Sequence, residues 1–405
     1  MAGMLRRPPS FYKEALNLPH MDDVDNVLIF VSDSLRWDYL PDSMKDRGTV
    51  FKTVAQSTYS PPSFTTLSTG LYPTQHGVNG FDKKLADGVQ TTYHIPGIDG
   101  AYFNEGRMLV DSLYRTYGVH EQKSLASLDS PFWYLERDTT THAAFVPNPF
   151  FRNIDVDEYF ADRMPDWSIV RDDYRDTIDK SIELFDKRLR VLKRISELEN
   201  TLVVFTSDHG ELFGEYGDIL HISPMSPELV YVPTVFIHPS LSDDSFAADP
   251  ETDVIEHTDV VQTCLSAIGR GDAIPTEGID LLSDPHPRDF GYSHTTTGKF
   301  GITGYQANGI WWPDSGFVTV ENSRAIRLAY MFHKLIFGTG AAARRRYFPE
   351  VIGTYLKDEW TFGELPVPRE RAVELLRDVS GDIVRTTSRE LDSRTKSHLR
   401  DLGYR

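Results

Sequence analysis

The segment TLVVFTSDHGE (residues 201–211) decides the fold, because two metal-ligand side chains directly follow a strand-like block. Residues 201–205 are mainly β-branched and apolar, which predicts a short strand. Asp208 and His209 then lie just beyond its carboxyl end, the edge where open α/β sheets build ligand sites. An isolated Asp-His pair is also typical of a solvated loop, so this interpretation depends on the other strand ends of the chain.

A second strand end occurs in NVLIFVSDSLRWD (residues 26–38). Its unbroken apolar run predicts a central strand of a parallel sheet, buried on both faces. Asp33 follows the last apolar residue. It is either a ligand at the sheet edge or the cap of a following helical turn.

A hydroxyl-rich segment, STYSPPSFTTLSTGLYPTQHG (residues 57–77), follows. Two prolines make the loop rigid, and a short helix is predicted to end at Gly70. Ser60 supplies a hydroxyl in this loop. The segments together provide oxygen and nitrogen ligands for one divalent cation, with an activated serine nucleophile inside the shell. The proposed ligands are Asp33, Ser60, Asp208 and His209.

These motifs, in this order, resemble the sulfatase-like branch of the alkaline phosphatase superfamily. Residues 33–38 match its Asp-Ser-x-Arg-x-Asp motif, residues 69–77 match Thr-Gly-x-Tyr-Pro-x-x-His-Gly, and residues 206–211 match Thr-Ser-Asp-His-Gly-Glu. Weaker matches lie at residues 131–145 and 228–237. The resemblance implies an α/β fold, an alkaline-phosphatase-like three-layer sandwich with a mainly parallel central sheet and a small C-terminal antiparallel subdomain.

Two departures from the sulfatase pattern shape the expected chemistry. Aligned on the family motif, Ser60 takes the nucleophile position, and Phe64 stands where sulfatases have an arginine. The resemblance therefore implies an unmodified serine nucleophile, and we expect phosphate esters to be preferred over sulfate esters. His209 stands where calcium sites often have Asn, which favours manganese or zinc over calcium, with magnesium also possible.

Two histidines are the best candidates to act on the leaving oxygen and bind the substrate, His142 and His221, because imidazole can donate near pH 7. His221 follows the metal motif where the family places a residue that touches the oxyanion. Each histidine could instead be a satisfied core residue. His76 and His257 are expected to be structural, and His294 could reach the site from the C-terminal part.

The composition restricts the partners. A formal charge of −18 over 405 residues argues against binding of nucleic acid. No apolar run has the length of a transmembrane segment, and no signal-peptide pattern is seen, so we expect a cytoplasmic location. Cys264 is the one cysteine, so an internal disulfide is excluded. Abundant aspartate, with more arginine than lysine, indicates an acidic, halophilic protein.

The chain is expected to divide into an N-terminal extension (1–25), a catalytic domain (26–287), a C-terminal subdomain (288–385) and a charged tail (386–405). Helices are predicted over residues 110–120, 174–195, 254–269 and 368–379. Further strands are predicted over residues 131–135, 317–320 and 334–337.

The favoured function is a metal-dependent hydrolase of phosphate or sulfate esters that uses Ser60. The alternatives are a transferase that moves a phosphate-linked group onto a glycan or lipid acceptor, and a serine-type sulfatase. A pseudoenzyme is a third interpretation, opposed by the retention of Asp33, Ser60, Asp208 and His209 together. The substrate is expected to be a small-molecule, glycan or lipid ester, and the sequence does not indicate an oligomeric state.

Overall fold

A computed structural model describes residues 23–105, 116–119, 123–146, 155–284, 288–299 and 302–381, with residue 21 and scattered positions between 383 and 396. The strands are β1 (Asn26–Ser32), β2 (Thr49–Val54), β3 (Asp99–Glu105), β4 (Phe132–Asp138), β5 (Thr201–Thr206), β6 (Leu212–Phe213), β7 (Ile219–Leu220), β8 (Tyr231–Ile237), β9 (Val254–Glu256), β10 (Gly291–Lys299), β11 (Ile302–Trp312), β12 (Ser315–Val320) and β13 (Glu359–Phe362).

The helices are α1 (Asp42–Lys45), α2 (Ser60–Thr69), α3 (Pro73–His76), α4 (Val156–Arg163), α5 (Trp167–Arg194), α6 (Pro227–Val230), α7 (His257–Ala267), α8 (Arg324–Phe337), α9 (Ala341–Arg346), α10 (Phe348–Leu356) and α11 (Arg369–Ser380). The predicted helix over residues 110–120, most of the N-terminal extension and most of the charged tail lie outside the described residues. Within the described part of the chain, no helix is both long and apolar enough to cross a bilayer.

The central sheet has seven strands in the order β3-β4-β1-β5-β8-β2-β9. Its strand pairs are parallel except those of β8, which runs antiparallel to β5 and β2. The sheet is therefore mainly parallel, as predicted. A second sheet, β10-β11-β12-β13, is antiparallel throughout and belongs to the C-terminal part.

β1 is buried on both faces, which explains its unbroken apolar sequence. Val27 and Ile29 pack into one hydrophobic core with residues of α2 and α7, whereas Leu28 and Phe30 pack into a second core with residues of α5. Since successive side chains of a strand point to opposite faces, these two cores make the three layers of the sandwich.

The helix predicted over residues 174–195 is α5, which extends from Trp167 to Arg194 and begins where the Asp166 side chain accepts from the backbone N of Ser168. The strand predicted over residues 131–135 is β4, which continues to Asp138. The strand at 317–320 and the helix at 368–379 are also found, as β12 and α11.

Two element predictions were wrong. The helix predicted over residues 254–269 begins only at His257, because the β-branched residues Val254 and Ile255 pair with β2 as strand β9. Residues 334–337 are not a strand but the last turn of α8. Met331, Lys334 and Leu335 are buried at spacings of three and four residues, the helical period that the short apolar run concealed.

Candidate active site

The structure brings all six predicted site residues to the carboxyl edge of the central sheet. β4, β1 and β5 are neighbours in the sheet, so residues that follow them lie side by side. The six side chains are all buried. They are Asp33 after β1, Ser60 at the start of α2, His142 after β4, Asp208 and His209 after β5, and His221 after β7.

Asp33, Asp208 and His209 form a cluster of possible metal ligands, with one ligand atom from each within 4.8 Å of the others. His209 Nε2 lies 3.3 Å from Asp208 Oδ2 and 3.8 Å from Asp33 Oδ1. His209 Nδ1 lies 2.8 Å from the Gly210 carbonyl oxygen, which can only accept, so Nδ1 carries the proton and Nε2 a lone pair. Two carboxylates and this lone pair therefore face one another, an arrangement that fits a divalent cation between them.

The pKa values of the two carboxylates differ in direction. Burial raises the pKa of Asp33, but the charge of Arg137, helped by His142 and His209, outweighs it and brings the pKa to about 2. Burial and the neighbouring Asp33 charge raise the pKa of Asp208. Two buried carboxylates repel each other, and a cation at the cluster would remove that repulsion.

Gly210 is required by close backbone packing behind the cluster. A Cβ atom at this position would lie 1.9 Å from the Glu228 carbonyl oxygen. The Gly210 N–H also donates to the carbonyl of Leu229, at 2.9 Å. The glycine therefore lets the chain turn past α6 directly after the two ligands.

Ser60 is the first residue of α2, and its hydroxyl points into the cluster. Ser60 Oγ lies 3.3 Å from His209 Nε2 and accepts a hydrogen bond from Arg137 Nη2 at 3.0 Å. Pro61 and Pro62 follow in the first turn and have no N–H, so the helix start offers few backbone donors to an anion. Positive charge at Ser60 must therefore come from side chains.

Arg137 is a site residue that the sequence interpretation missed. Its Nε and Nη2 atoms donate to Asp33 Oδ2 at 2.8 and 2.6 Å, and the side chain is fully buried. Its guanidinium carbon lies 5.2 Å from the centre of the Phe64 ring. The sequence lacks an arginine at position 64, but the fold places the guanidinium of Arg137 beside Phe64 and Ser60.

A signal for Arg137 was present in β4. Three charged residues, 136–138, directly follow an apolar run in a central strand, and all three are buried. Trp133 and Leu135 pack in the core shared with α2. The two-residue period of a strand places Arg137 on the same face, next to the start of α2.

His142 and His221 lie against each other, with ring centres 5.0 Å apart, and His221 lies 4.5 Å from the ring of His209. Burial lowers the pKa of His142. Burial, with the charges of His209 and His142, holds the pKa of His221 well below its ordinary value. Both rings are therefore neutral near pH 7. His142 Nδ1 donates to the Ala143 carbonyl at 2.9 Å, so its lone pair is on Nε2.

Glu211, the last residue of the metal motif, lies beside His221. Glu211 Oε2 is 3.6 Å from His221 Nδ1. Burial raises the pKa of Glu211 well above its ordinary value, so this carboxyl group keeps its proton at higher pH than an exposed glutamate. Glu211 is a second residue for which the sequence interpretation gave no role.

The segment that carries His221 is held by a buried ionic network from the C-terminal helices. Asp218 Oδ2 accepts from Lys334 Nζ at 2.8 Å, and Asp218 Oδ1 accepts from Arg344 Nε. Burial raises the pKa of Asp218, but Arg344 and Lys334 outweigh it and bring the pKa to about 2. The residues on each side of His221, Leu220 and Ile222, have φ values of 67° and 86°. The network therefore supports a strained backbone around the histidine.

The remaining histidines have other partners. His294 Nδ1 lies 2.8 Å from Asn308 Oδ1, a contact within the C-terminal sheet. His257 Nε2 donates to the Ser207 carbonyl at 2.8 Å, and His76 Nδ1 accepts from the backbone N of Val78 at 3.1 Å. These contacts indicate structural roles for His294, His257 and His76.

Two family models match the chain. The model described as Sulfatase matches residues 113–270, and the model described as Type I phosphodiesterase / nucleotide pyrophosphatase matches residues 27–191. The two matches overlap, and each includes part of the site described above.

The chain is 29% identical over 410 residues to the low-salt glycan biosynthesis sulfotransferase Agl7 of Haloferax volcanii, covering 96% of this chain and 98% of the relative. Its structure resembles a phosphonate monoester hydrolase of Agrobacterium radiobacter, with a TM-score of 0.56, 15% identity and coverage of 82% and 95% of the two chains. It also resembles a 2-O GAG sulfatase, with a TM-score of 0.56, 15% identity and coverage of 83% and 93%. Together with the three-layer fold and the ordered motifs, these matches support a sulfatase-like protein of the alkaline phosphatase superfamily.

Proposed function

We propose that the protein cleaves a sulfate ester, or a related ester with a single negative charge, by attack of Ser60 Oγ. The observation that carries this proposal is the position of that oxygen, 3.0 Å from Arg137 Nη2 and 3.3 Å from His209 Nε2. An anionic ester repels nucleophiles until its charge is balanced. A buried guanidinium next to the attacking atom provides that balance in a site of low dielectric constant.

Asp33, Asp208 and His209 would hold a divalent cation, with Ser60 completing the ligand set. When bound, the cation would add two positive charges and lower the pKa of the Ser60 hydroxyl. Mixed oxygen and nitrogen ligands suit manganese, zinc or magnesium, and suit calcium less well because calcium prefers oxygen ligands.

The charge balance of the site selects the substrate class. Asp33 and Asp208 carry two negative charges and Arg137 one positive charge, so with a divalent cation the site has one positive charge in total. A sulfate monoester or a phosphodiester balances it with one negative charge. A phosphate monoester carries a charge of about −1.5 to −2 at pH 7. It therefore leaves the site with an excess of negative charge, which is costly to bury. The expected preference for phosphate rested on its greater negative charge near a divalent metal and on the arginine missing at position 64. Arg137 supplies a cation that weakens the second reason, and the charge balance above opposes the first.

The reaction divides into two transfers. Ser60 Oγ gives its proton to His142 Nε2 and attacks the sulfur atom, the bond from sulfur to the alcohol oxygen breaks, and the sulfuryl group is left on Ser60. His221 donates a proton from Nε2 to the departing oxygen while Nδ1 takes the proton of Glu211, so the imidazole ends neutral. In the second transfer an acceptor hydroxyl gives its proton to His221 Nε2 while Nδ1 returns a proton to Glu211. The acceptor oxygen attacks sulfur, the bond from sulfur to Ser60 Oγ breaks, and Ser60 takes its proton back from His142.

The acceptor decides between two functions. If water is the acceptor, the protein is an ester hydrolase. If a glycan hydroxyl is the acceptor, it is a sulfotransferase. The second function is favoured by the Haloferax relative, which is a glycan biosynthesis sulfotransferase and matches 96% of this chain. It is also favoured by the complete burial of Ser60, because a dry site protects a covalent ester from water.

The test uses matched 4-nitrophenyl esters: a sulfate, a phosphate monoester, a phosphodiester and a phosphonate monoester, each with several divalent metals. We expect the singly charged esters to be cleaved fastest. Oligosaccharide acceptors should accelerate release of nitrophenol if the protein is a transferase and leave it unchanged if it is a hydrolase. Faster cleavage of the phosphate monoester would contradict the charge argument.

The covalent step has its own readout. After rapid acid quenching, the peptide with Ser60 should gain about 80 Da from a sulfuryl group. Ser60→Ala should lose the adduct and nearly all turnover, whereas Thr58→Ala should keep both. A peptide about 2 Da lighter before reaction would show formylglycine and contradict the direct serine mechanism.

A further inference from the structure

The exposed apolar side chains of the protein are concentrated on two helices of the C-terminal part. Among the described residues, nine large hydrophobic side chains are exposed, and six of them lie on α8 and α10. These six are Ile326, Phe332, Ile336, Phe337, Phe348 and Leu356. Scattered exposed apolar residues are normal on a protein surface, whereas a cluster of this kind marks an interaction site.

The side chains form one surface. Phe332 and Ile336 are one helical turn apart, and the Phe332 and Phe348 rings have centres 6.5 Å apart across the two helices. Ile336 and Phe337 are 58% and 62% exposed. On the opposite side, α8 buries Met331 and Leu335. The helix is thus apolar towards the core and again towards solvent, unlike an ordinary surface helix.

The same region is basic in an otherwise acidic chain. Residues 322–349 contain no Asp or Glu, although the chain has 60 acidic residues and a net charge of −18. Of the cations in this stretch, Lys334 and Arg344 bind the buried Asp218, and Arg324 and Arg327 share Asp358.

Two further cations stay at the surface, Arg345 and Arg346. Arg345 Nη1 donates to the Leu335 carbonyl at 2.8 Å, which places it at the end of α8 beside the apolar cluster. Glu350, on the first turn of α10, is the nearest exposed acidic residue in the sequence. The two arginines give this surface a positive charge next to its aromatic side chains.

We propose that this α8–α10 surface, formed by Phe332, Ile336, Phe337, Phe348, Arg345 and Arg346, docks on an anionic membrane. Aromatic and aliphatic side chains that insert at the headgroup level, flanked by basic residues, are the pattern of an interfacial helix. The charge favours a membrane over a symmetric dimer through this surface, because such a dimer would bring the arginines of the two copies together, whereas anionic headgroups attract them. The acidic remainder of the chain would orient the protein with this surface towards the lipid.

Vesicle flotation tests the proposal. The full-length protein is mixed with phosphatidylglycerol-containing vesicles and, separately, with pure phosphatidylcholine vesicles. We expect clear binding to the anionic vesicles and at least about tenfold weaker binding to the neutral ones. No binding to anionic vesicles would overturn the proposal.

Variants distinguish this surface from the rest of the protein. Ile336→Asp and Arg346→Glu should each weaken binding by about tenfold or more, because one removes inserted apolar area and the other reverses a charge. Val384→Asp is the matched control, since Val384 is 41% exposed, lies beside α3, where its backbone N donates to the Thr74 carbonyl, and should leave binding unchanged. Equal loss in the control, or retained binding in both test variants, would place any lipid contact elsewhere and reject the proposal.

Two further measurements complete the test. Turnover of soluble aryl esters should be the same in Ile336→Asp as in the wild type, so a lost lipid contact is separable from lost chemistry. Sedimentation of the free protein should show the same mass for the wild type and Ile336→Asp. A wild-type dimer that Ile336→Asp dissociates would assign the surface to a second copy and overturn the membrane assignment.

Discussion

The guanidinium carbon of Arg137 lies 5.2 Å from the centre of the Phe64 ring, and Arg137 Nη2 is 3.0 Å from Ser60 Oγ. Phe64 and Ser60 are one helical turn apart on α2, whereas Arg137 comes from β4. The helix therefore supplies the proposed nucleophile and an aromatic support, and the sheet supplies the positive charge. The sequence shows correctly that position 64 has no arginine. It does not show that the site contains an arginine from another part of the chain, Arg137.

Arg137→Lys tests this division of roles. Lysine keeps the charge but cannot bridge Asp33 and Ser60 with a planar fork, so we expect kcat/KM on the aryl sulfate to fall by about 10²- to 10³-fold. Phe64→Leu should cost less, about tenfold, because it removes only the cation–π contact and the ring that orients the guanidinium. Steady-state kinetics with thermal melting as a folding control decide the outcome. An Arg137→Lys variant with wild-type kinetics would exclude the arginine from the reaction.

Asp208→Ala tests the metal cluster. The variant removes one of two buried carboxylates, so a divalent ion would be under-neutralised and we expect it to be lost on gel filtration. Elemental analysis of wild type, variant and Asp38→Ala measures this directly. Asp38 is a suitable control because it pairs with Arg36 and is half-exposed. Full metal content in Asp208→Ala would show that the ion, if present, lies elsewhere.

Asp218→Asn tests whether the buried network positions His221. The variant leaves Lys334 and Arg344 without their carboxylate, so we expect a loss of about 3–5 kcal/mol in stability, measured by chemical unfolding. Turnover of Asp218→Asn, measured below the melting temperature of this variant so that it is folded, should also fall. If Asp218 acts through His221, Asp218→Asn should add little to the kinetic loss of His221→Ala. Additive losses would show that Asp218 affects turnover by a route other than His221.

His76 predicts a dependence of stability on acid. Burial lowers the pKa of His76 to about 3, from 6.5 in the unfolded chain. The folded state therefore keeps a neutral imidazole, and its contribution is complete above pH 6.5 and is lost as the pH falls towards 3. At pH 4.5 the loss from this one group is about 3 kcal/mol.

Urea unfolding of wild type and His76→Gln at pH 7 and pH 4.5 measures the difference. Glutamine can still accept from the Val78 N–H but does not titrate, so the variant should lose less stability over this range. Equal pH dependence in the two proteins would show that His76 is protonated in the folded state or is reached by solvent.

The ligands of the candidate metal cluster were accessible from sequence because each is fixed by its position relative to a strand. Asp33, Asp208 and His209 lie one to three residues beyond the ends of β1 and β5, and parallel neighbours bring such positions together. Ser60 was accessible through the family motif, because it takes the nucleophile position when the chain is aligned on residues 69–73. The structure differs in one respect, since Ser60, Pro61 and Pro62 belong to α2 and not to a loop before it.

The residues that were missed depend on contacts between distant parts of the chain. Arg137 acquires its role only when β4 pairs with β1 and α2 covers that face. Lys334 lies in a short apolar run that is as compatible with a strand as with a helix. The packing of Lys334 against Asp218 decides in favour of the helix, because the buried carboxylate needs a cation from this segment.

β4 has a consequence for how the chain tolerates length changes. Arg137 faces Ser60 only because β4 is in one particular register with β1, in which Val31 is opposite Arg137. Deletion of one residue within β4 turns the strand by half its period and moves Glu136 or Asp138 towards Ser60, so a cation is replaced by an anion. Insertions in the connections between strands leave that register unchanged. Diversification of this protein by insertion and deletion is therefore confined to its connections, whereas the length of β4 is as strict a requirement as the identity of its arginine.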